Sequence, residues 1–76
     1  MNKARREMIR KVIEKLDDAR LLLDEIREEE EEYRDNIPEN LQGSERYEKA
    51  DSAVYEMEDA VGALEEMVSN LEEVIS

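Results

Sequence analysis

The chain is short and strongly acidic: its 76 residues include 23 acidic and 11 basic side chains, a formal net charge of −12. Cysteine and histidine are both absent, which excludes disulfide scaffolds, zinc ribbons and thiol catalysis. The length allows a single domain, close to the lower size limit at which one hydrophobic core is self-sufficient.

Charge and hydropathy also limit the partners. The longest aliphatic run is Leu21-Leu22-Leu23, too short for a membrane span or an export signal, so we expect a cytoplasmic protein. The negative charge disfavours direct binding of nucleic acid, whose phosphates it repels. The basic start, residues 1–20, could touch a membrane or nucleic acid, but pairing with the acidic end of the chain is the interpretation we favour.

The first predicted element is a helix over about residues 2–35. Its apolar residues recur in steps of three and four, which is the spacing of heptad positions a and d in a coiled coil. Only Glu30 interrupts the stripe, and we interpret it as a polar residue that fixes register. The stripe consists of Ile9, Val12, Leu16, Ala19, Leu23, Ile26 and Tyr33.

A turn is predicted over about residues 36–44, because Pro38 and Gly43 fall together there in a chain that has few helix breakers. Ser44 is well placed to cap a second helix over about residues 45–75. We expect Ile37 and Leu41 to close the core at this end.

The second helix has an unbroken stripe with the same period: Tyr47, Ala50, Val54, Met57, Val61, Leu64, Val68, Leu71 and Ile75. A short connection makes neighbouring helices antiparallel. The predicted fold is therefore an all-α, antiparallel two-helix coiled-coil hairpin that dimerises into a four-helix bundle.

The e positions beside the seam predict how the two helices align. Four of the five in the first helix are arginines, and all four in the second helix are acidic. In the predicted register these charges select the orientation of the hairpin. The expected pairs are Arg27 with Asp51, Arg20 with Glu58 and Arg6 with Glu72.

The opposite edge, formed by the g positions, is mostly apolar, although a two-helix seam needs no apolar residues there. Because two helices do not enclose a core, we expect this edge to associate with a second copy. A different protein on the same edge and a stable monomer are the alternatives. The predicted self-association residues are Met8, Leu22, Ala53, Ala60, Met67 and Val74.

The acidic charge concentrates around the turn. Fifteen acidic and four basic residues lie between Asp24 and Asp59, or one net charge per about 2.5 Å of paired helix, against one per about 1.7 Å in duplex DNA. This end could imitate DNA towards a basic protein, or simply keep the molecule soluble. The candidate partner surface is Glu28, Glu29, Glu31, Glu32, Asp35, Glu39, Glu45 and Glu48.

The sequence offers no catalytic group. Histidine and cysteine are missing, and the four serines have no base partner. The glutamate run matches no calcium loop, and bundle di-metal sites need histidine. We predict a protein without enzymatic activity, cofactor or metal.

The segment from Asp35 to Tyr47, DNIPENLQGSERY, resembles the turn of short acidic reading frames found in phages and integrated elements of Gram-positive bacteria. The basic start and the two Leu-Glu-Glu repeats near the end are similar too. That group has no settled activity and lends no functional residues. The resemblance implies an accessory protein of a mobile element, acting in a bacterial host cell.

These observations favour a non-catalytic interaction module that works as a homodimer. The alternative is a DNA mimic that inhibits a host-defence nuclease, of the anti-CRISPR or anti-restriction type. A second alternative is a spacer in a virion or assembly.

Overall fold

The computed structural model describes all 76 residues as two long helices joined by a short turn. Helix α1 spans Lys3–Asp35 and helix α2 spans Glu45–Val74, with a 3-10 turn at Glu39–Leu41 between them. The helices pack against each other as a hairpin 59 Å long and 15 Å wide. The predicted all-α hairpin is therefore confirmed. Neither helix combines the length and the hydropathy needed to cross a bilayer.

Side chains cap both helices where they begin. The Oδ1 atom of Asn2 accepts a hydrogen bond from the backbone N–H of Arg5 at 2.8 Å. Ser44 caps α2 as expected, because its Oγ accepts from the backbone N–H of Tyr47 at 3.3 Å. Each cap satisfies one of the N–H groups that the first turn of a helix leaves without an internal partner.

The core is thin. Only five residues are buried, and none of them belongs to α1: Ile37, Ala50, Val54, Val61 and Val68. Four of the five are alanine or valine, so each contributes little apolar area. Two helices in contact along one seam leave the outer sides of both in water, so this hairpin has little hydrophobic stabilisation of its own.

At the turn, the expectation for the core is met in part. Ile37 is 4% exposed and closes this end of the seam, as predicted. Leu41 and Tyr33 were expected beside it, but they are 44% and 45% exposed. Leu41 ends the 3-10 turn and stays exposed there, and Tyr33 lies outside the contact because α1 is rotated, as described next.

The seam uses the predicted stripe of α2 but a different stripe of α1. Val12 and Ile26, expected at the centre, are 45% and 46% exposed. Their place is taken by Ile13 and by arginines, whose methylene stems can cover apolar surface while the charge stays in water. The half-buried positions of this stripe of α1 are Arg6, Ile9, Ile13, Leu16, Arg20, Leu23, Arg27, Glu30 and Arg34.

This rotation changes the ion pairs, and the three pairs expected between the helices are absent. One ion pair crosses the seam, from Arg34 Nη1 to Asp51 Oδ1 at 2.8 Å. Asp51 is thus bound by the arginine one heptad beyond the expected Arg27.

The other arginines find partners on their own helix or none. Arg27 pairs with Asp24 at 2.9 Å, and Arg20 lies 3.7 Å from Asp17. Carboxylates three or four residues away on the same helix are neighbours of each arginine. Pairing with them therefore needs no particular alignment of the two helices. Arg6 has no ion pair with Glu72, and its buried Nε atom has no hydrogen-bond partner.

Candidate self-association face and acidic turn end

One side of the hairpin is mostly apolar, and Lys15 and Glu29 are the charged residues along it. The rotation of α1 leaves its d positions on the same side as the g positions of both helices. We call this surface the apolar face. It consists of Met8, Val12, Ala19, Leu22, Ile26 and Tyr33 from α1 and Ala53, Ala60, Met67 and Val74 from α2.

The apolar face is continuous across the two helices. Two open depressions of about 350 and 400 Å³ lie on it, and both are lined by Val12. The first extends along α1 past Met8 and Ile9. The second is a groove in which Val12 and Leu16 face Met67 and Leu71. The side chains of α1 and α2 therefore form one surface rather than two separate strips.

The predicted g-edge residues lie on this face with different exposures. Leu22 is 60% exposed and Met67 is 43% exposed. Met8, Ala60 and Val74 are also exposed, whereas Ala53 is half-buried against the seam.

Sequence reasoning missed four residues of the face, Val12, Ala19, Ile26 and Tyr33, because it assigned them to the seam. The sequence pattern could have identified them. With apolar residues at a, d and g and with Ile13 at e, α1 has an apolar stripe too wide for a single neighbouring helix.

The exposed area of the chain is large for its mass. A folded monomer of 8.9 kDa is expected to expose about 4,800 Å², whereas this chain exposes 5731 Å². The excess, roughly 900 Å², is close to the area of about 800 Å² that each partner contributes to a stable protein interface. The surface that this elongated hairpin exposes beyond that of a compact monomer is thus comparable to the area that one protein partner covers.

The acidic turn end divides into paired and unpaired carboxylates. Arg27 binds Glu31 and lies 3.6 Å from Glu28, and Arg34 binds Asp35 at 3.0 Å. Glu45 pairs with Lys49 at 3.0 Å. The remaining members of the candidate surface are exposed and make no ion pair: Glu29, Glu32, Glu39 and Glu48.

These contacts also act on the two arginines. The hydrogen bond with Asp24 and the charge of Glu31 raise the pKa of Arg27. Hydrogen bonds with Asp35 and Asp51 raise the pKa of Arg34 in the same way. A raised arginine pKa means that the charged guanidinium is favoured in the fold below the ordinary arginine value and that this preference is lost as the pH rises through the raised value, provided that the carboxylate partners are ionised. Both guanidinium groups therefore stay charged and neutralise part of the acidic end.

No three carboxylates lie close enough together to form a metal-binding group. Comparison of the chain with protein-family models, curated proteins and solved structures found no match.

Proposed function

We propose that this protein is a non-catalytic interaction module that acts as a homodimer, with the apolar face as its self-association surface. The observation that carries the proposal is the contrast between the thin core and that face. Five residues are buried within the hairpin, while residues as large as Leu22 and Met8 are more than half exposed on one side. Covering them would supply the hydrophobic stabilisation that the isolated hairpin lacks.

In this arrangement the acidic turn end remains in solvent, available to a protein partner of opposite charge. The setting we propose, an accessory protein of a phage or integrated element in the cytoplasm of a bacterial host, rests on the resemblance of the Asp35–Tyr47 segment to such reading frames. Nothing in the side-chain inventory supports catalysis, so we propose that its activity is binding.

Sedimentation equilibrium on the wild type and on Met67→Glu tests the self-association. Met67 lies in the groove of the apolar face, so a buried glutamate there would cost several times the thermal energy. We expect a wild-type dimer and a Met67→Glu monomer that is still helical by circular dichroism. The matched control is Tyr55→Glu, because Tyr55 is 59% exposed but lies outside the face; it should remain a dimer.

A folded wild-type monomer would reject the homodimer and leave the apolar face as a docking surface for another protein. Assembly beyond the dimer would instead favour the spacer.

The second candidate function is a DNA mimic, and the charge distribution at the turn favours it. Of the four basic residues between Asp24 and Asp59, all except Arg46 are held in ion pairs, so the acidic end presents almost no free cation. A mimic should inhibit DNA cleavage by a host restriction or CRISPR nuclease, and inhibition should weaken steeply with salt. Changing Glu32, Glu39 and Glu48 to glutamine should then abolish it; unchanged inhibition would reject this candidate.

A further inference from the structure

We infer that the two copies pack antiparallel, with a two-fold axis passing by Leu22 of α1 and Ala60 of α2, so that the two acidic turn ends lie at opposite ends of the dimer. This inference rests on the proposed self-association and specifies its geometry. Three features of the hairpin support it: the distribution of charge, the pattern of side chains on α1, and the matching positions of Leu22 and Ala60 along the axis of the hairpin.

The charge distribution disfavours a dimer with both turns at the same end. Residues 24–59 carry a net charge of −11, which leaves −1 for the rest of the chain. A parallel dimer would place two such ends side by side, within about one Debye length of each other at physiological salt. The antiparallel dimer places each acidic end beside the nearly neutral end of the other copy.

The outer positions of α1 on this face are complementary to themselves. Its g positions read Met8, Lys15, Leu22 and Glu29. A two-fold axis at Leu22 places Lys15 of each copy opposite Glu29 of the other, because both lie seven residues from the axis. In such an isologous contact each pair occurs twice. The same axis sets small Ala19 opposite Ile26 from the row of d positions.

Helix α2 gives the same centre independently. An axis at Ala60 places Ala53 of one copy opposite Met67 of the other, seven residues on either side, so that a small side chain faces a large one. Leu22 and Ala60 also lie at the same height along the axis of the hairpin. The groove sets Val12 and Leu16 of α1 beside Met67 and Leu71 of α2, and following the antiparallel helices from these contacts brings Leu22 to within about one residue of Ala60.

The position of the axis allows full overlap of the two copies. Leu22 lies about 28 Å along α1 from Lys3, at 1.5 Å per residue, in a hairpin 59 Å long. An axis near the middle covers the whole apolar face, whereas an axis near one end would leave part of it in water. All four neighbouring helix pairs of the bundle are then antiparallel, as in up-and-down four-helix bundles.

A distance between the two turns tests the orientation. The chain has no cysteine, so Gln42→Cys provides a single spin-label site in the exposed turn of the full-length protein. By pulsed electron–electron double resonance, the antiparallel dimer should give a distance between the two labels close to the 59 Å length of the hairpin. A parallel dimer would give about 20 Å, two helix-packing distances.

The outcomes separate the two proposals when the mass of the labelled protein is measured in parallel. A dimer with the short distance overturns the orientation and leaves the self-association standing. A monomer without intermolecular coupling overturns both.

Charge reversal supplies the second test. Lys15→Glu alone and Glu29→Lys alone should each weaken the dimer about tenfold, because each replaces two favourable pairs with two repulsive ones. The double variant restores both pairs and should recover wild-type affinity. In the parallel arrangement Lys15 and Glu29 of different copies do not meet, so a double variant as weak as its parents would overturn the orientation.

Discussion

At the scale of single residues, the structure separates side chains that look alike in the sequence. Leu21 and Leu22 are adjacent and are 58% and 60% exposed. At about 100° per residue on a helix they lie on different sides of α1. Leu22 belongs to the apolar face, whereas Leu21 stands apart from it, so equal exposure does not imply an equal role.

Gly62 provides a prediction about stability. It lies inside α2, and a Cβ built at this position meets no atom within 4 Å. Because alanine loses less backbone entropy than glycine on entering a helix, Gly62→Ala should raise the free energy of unfolding by about 1 kcal/mol. Urea denaturation followed by circular dichroism measures this change. A decrease in stability would mean that Gly62 is in close contact with a group outside the hairpin.

At the scale of the helices, α2 was predictable and α1 only in part. In α2 every residue of the apolar stripe from Tyr47 to Ile75 is buried or half-buried, because no second stripe competes with it. In α1 two stripes share Ile9, Leu16 and Leu23. One continues through Val12 and Ile26, and the other through Ile13 and the arginines.

Counting apolar side chains favours the wrong stripe of α1, because it ignores the aliphatic part of arginine. The consequence extends to the candidate site. The residues that sequence reasoning placed in the seam are the ones that widen the apolar face, and their role follows only once the rotation of α1 is known.

The ion pair between Arg34 and Asp51 tests this register. In a double-mutant cycle with Arg34→Met and Asp51→Ala, the two substitutions should be coupled, and the coupling should shrink as salt is added. A parallel cycle with Arg27→Met and Asp51→Ala should show no coupling, because Arg27 pairs with Asp24 and Glu31 on its own helix. Coupling of Asp51 to Arg27 instead of Arg34 would contradict the register described here.

At the scale of the whole molecule, the net charge and the apolar face have opposite effects on association. A chain with net charge −12 resists non-specific aggregation, since its copies repel one another at long range. In the dimer that we propose, the apolar face overcomes this repulsion when two copies align so that their acidic ends are far apart. In this proposal the asymmetry of charge selects the orientation of the two copies, and the hydrophobic area supplies the affinity.

The same asymmetry would give the proposed dimer two equivalent acidic ends, one for each turn. A rod with a binding surface at both ends can engage two partner molecules at once, which raises its effective affinity for an assembled or dimeric partner. Glu32, Glu39 and Glu48, all exposed and unpaired, are the residues of that surface that the self-association leaves free.

The most direct measurement of the central claim is sedimentation equilibrium on the matched variants Leu22→Glu and Leu21→Glu beside the wild type. The two substitutions introduce the same charge on neighbouring leucines of equal exposure. We predict that the wild type and Leu21→Glu have about twice the 8.9 kDa mass of the chain. Leu22→Glu brings two carboxylates together at the two-fold axis, and its dimer should dissociate roughly a hundredfold more readily. A wild-type monomer, or equal masses for both variants, would contradict the account.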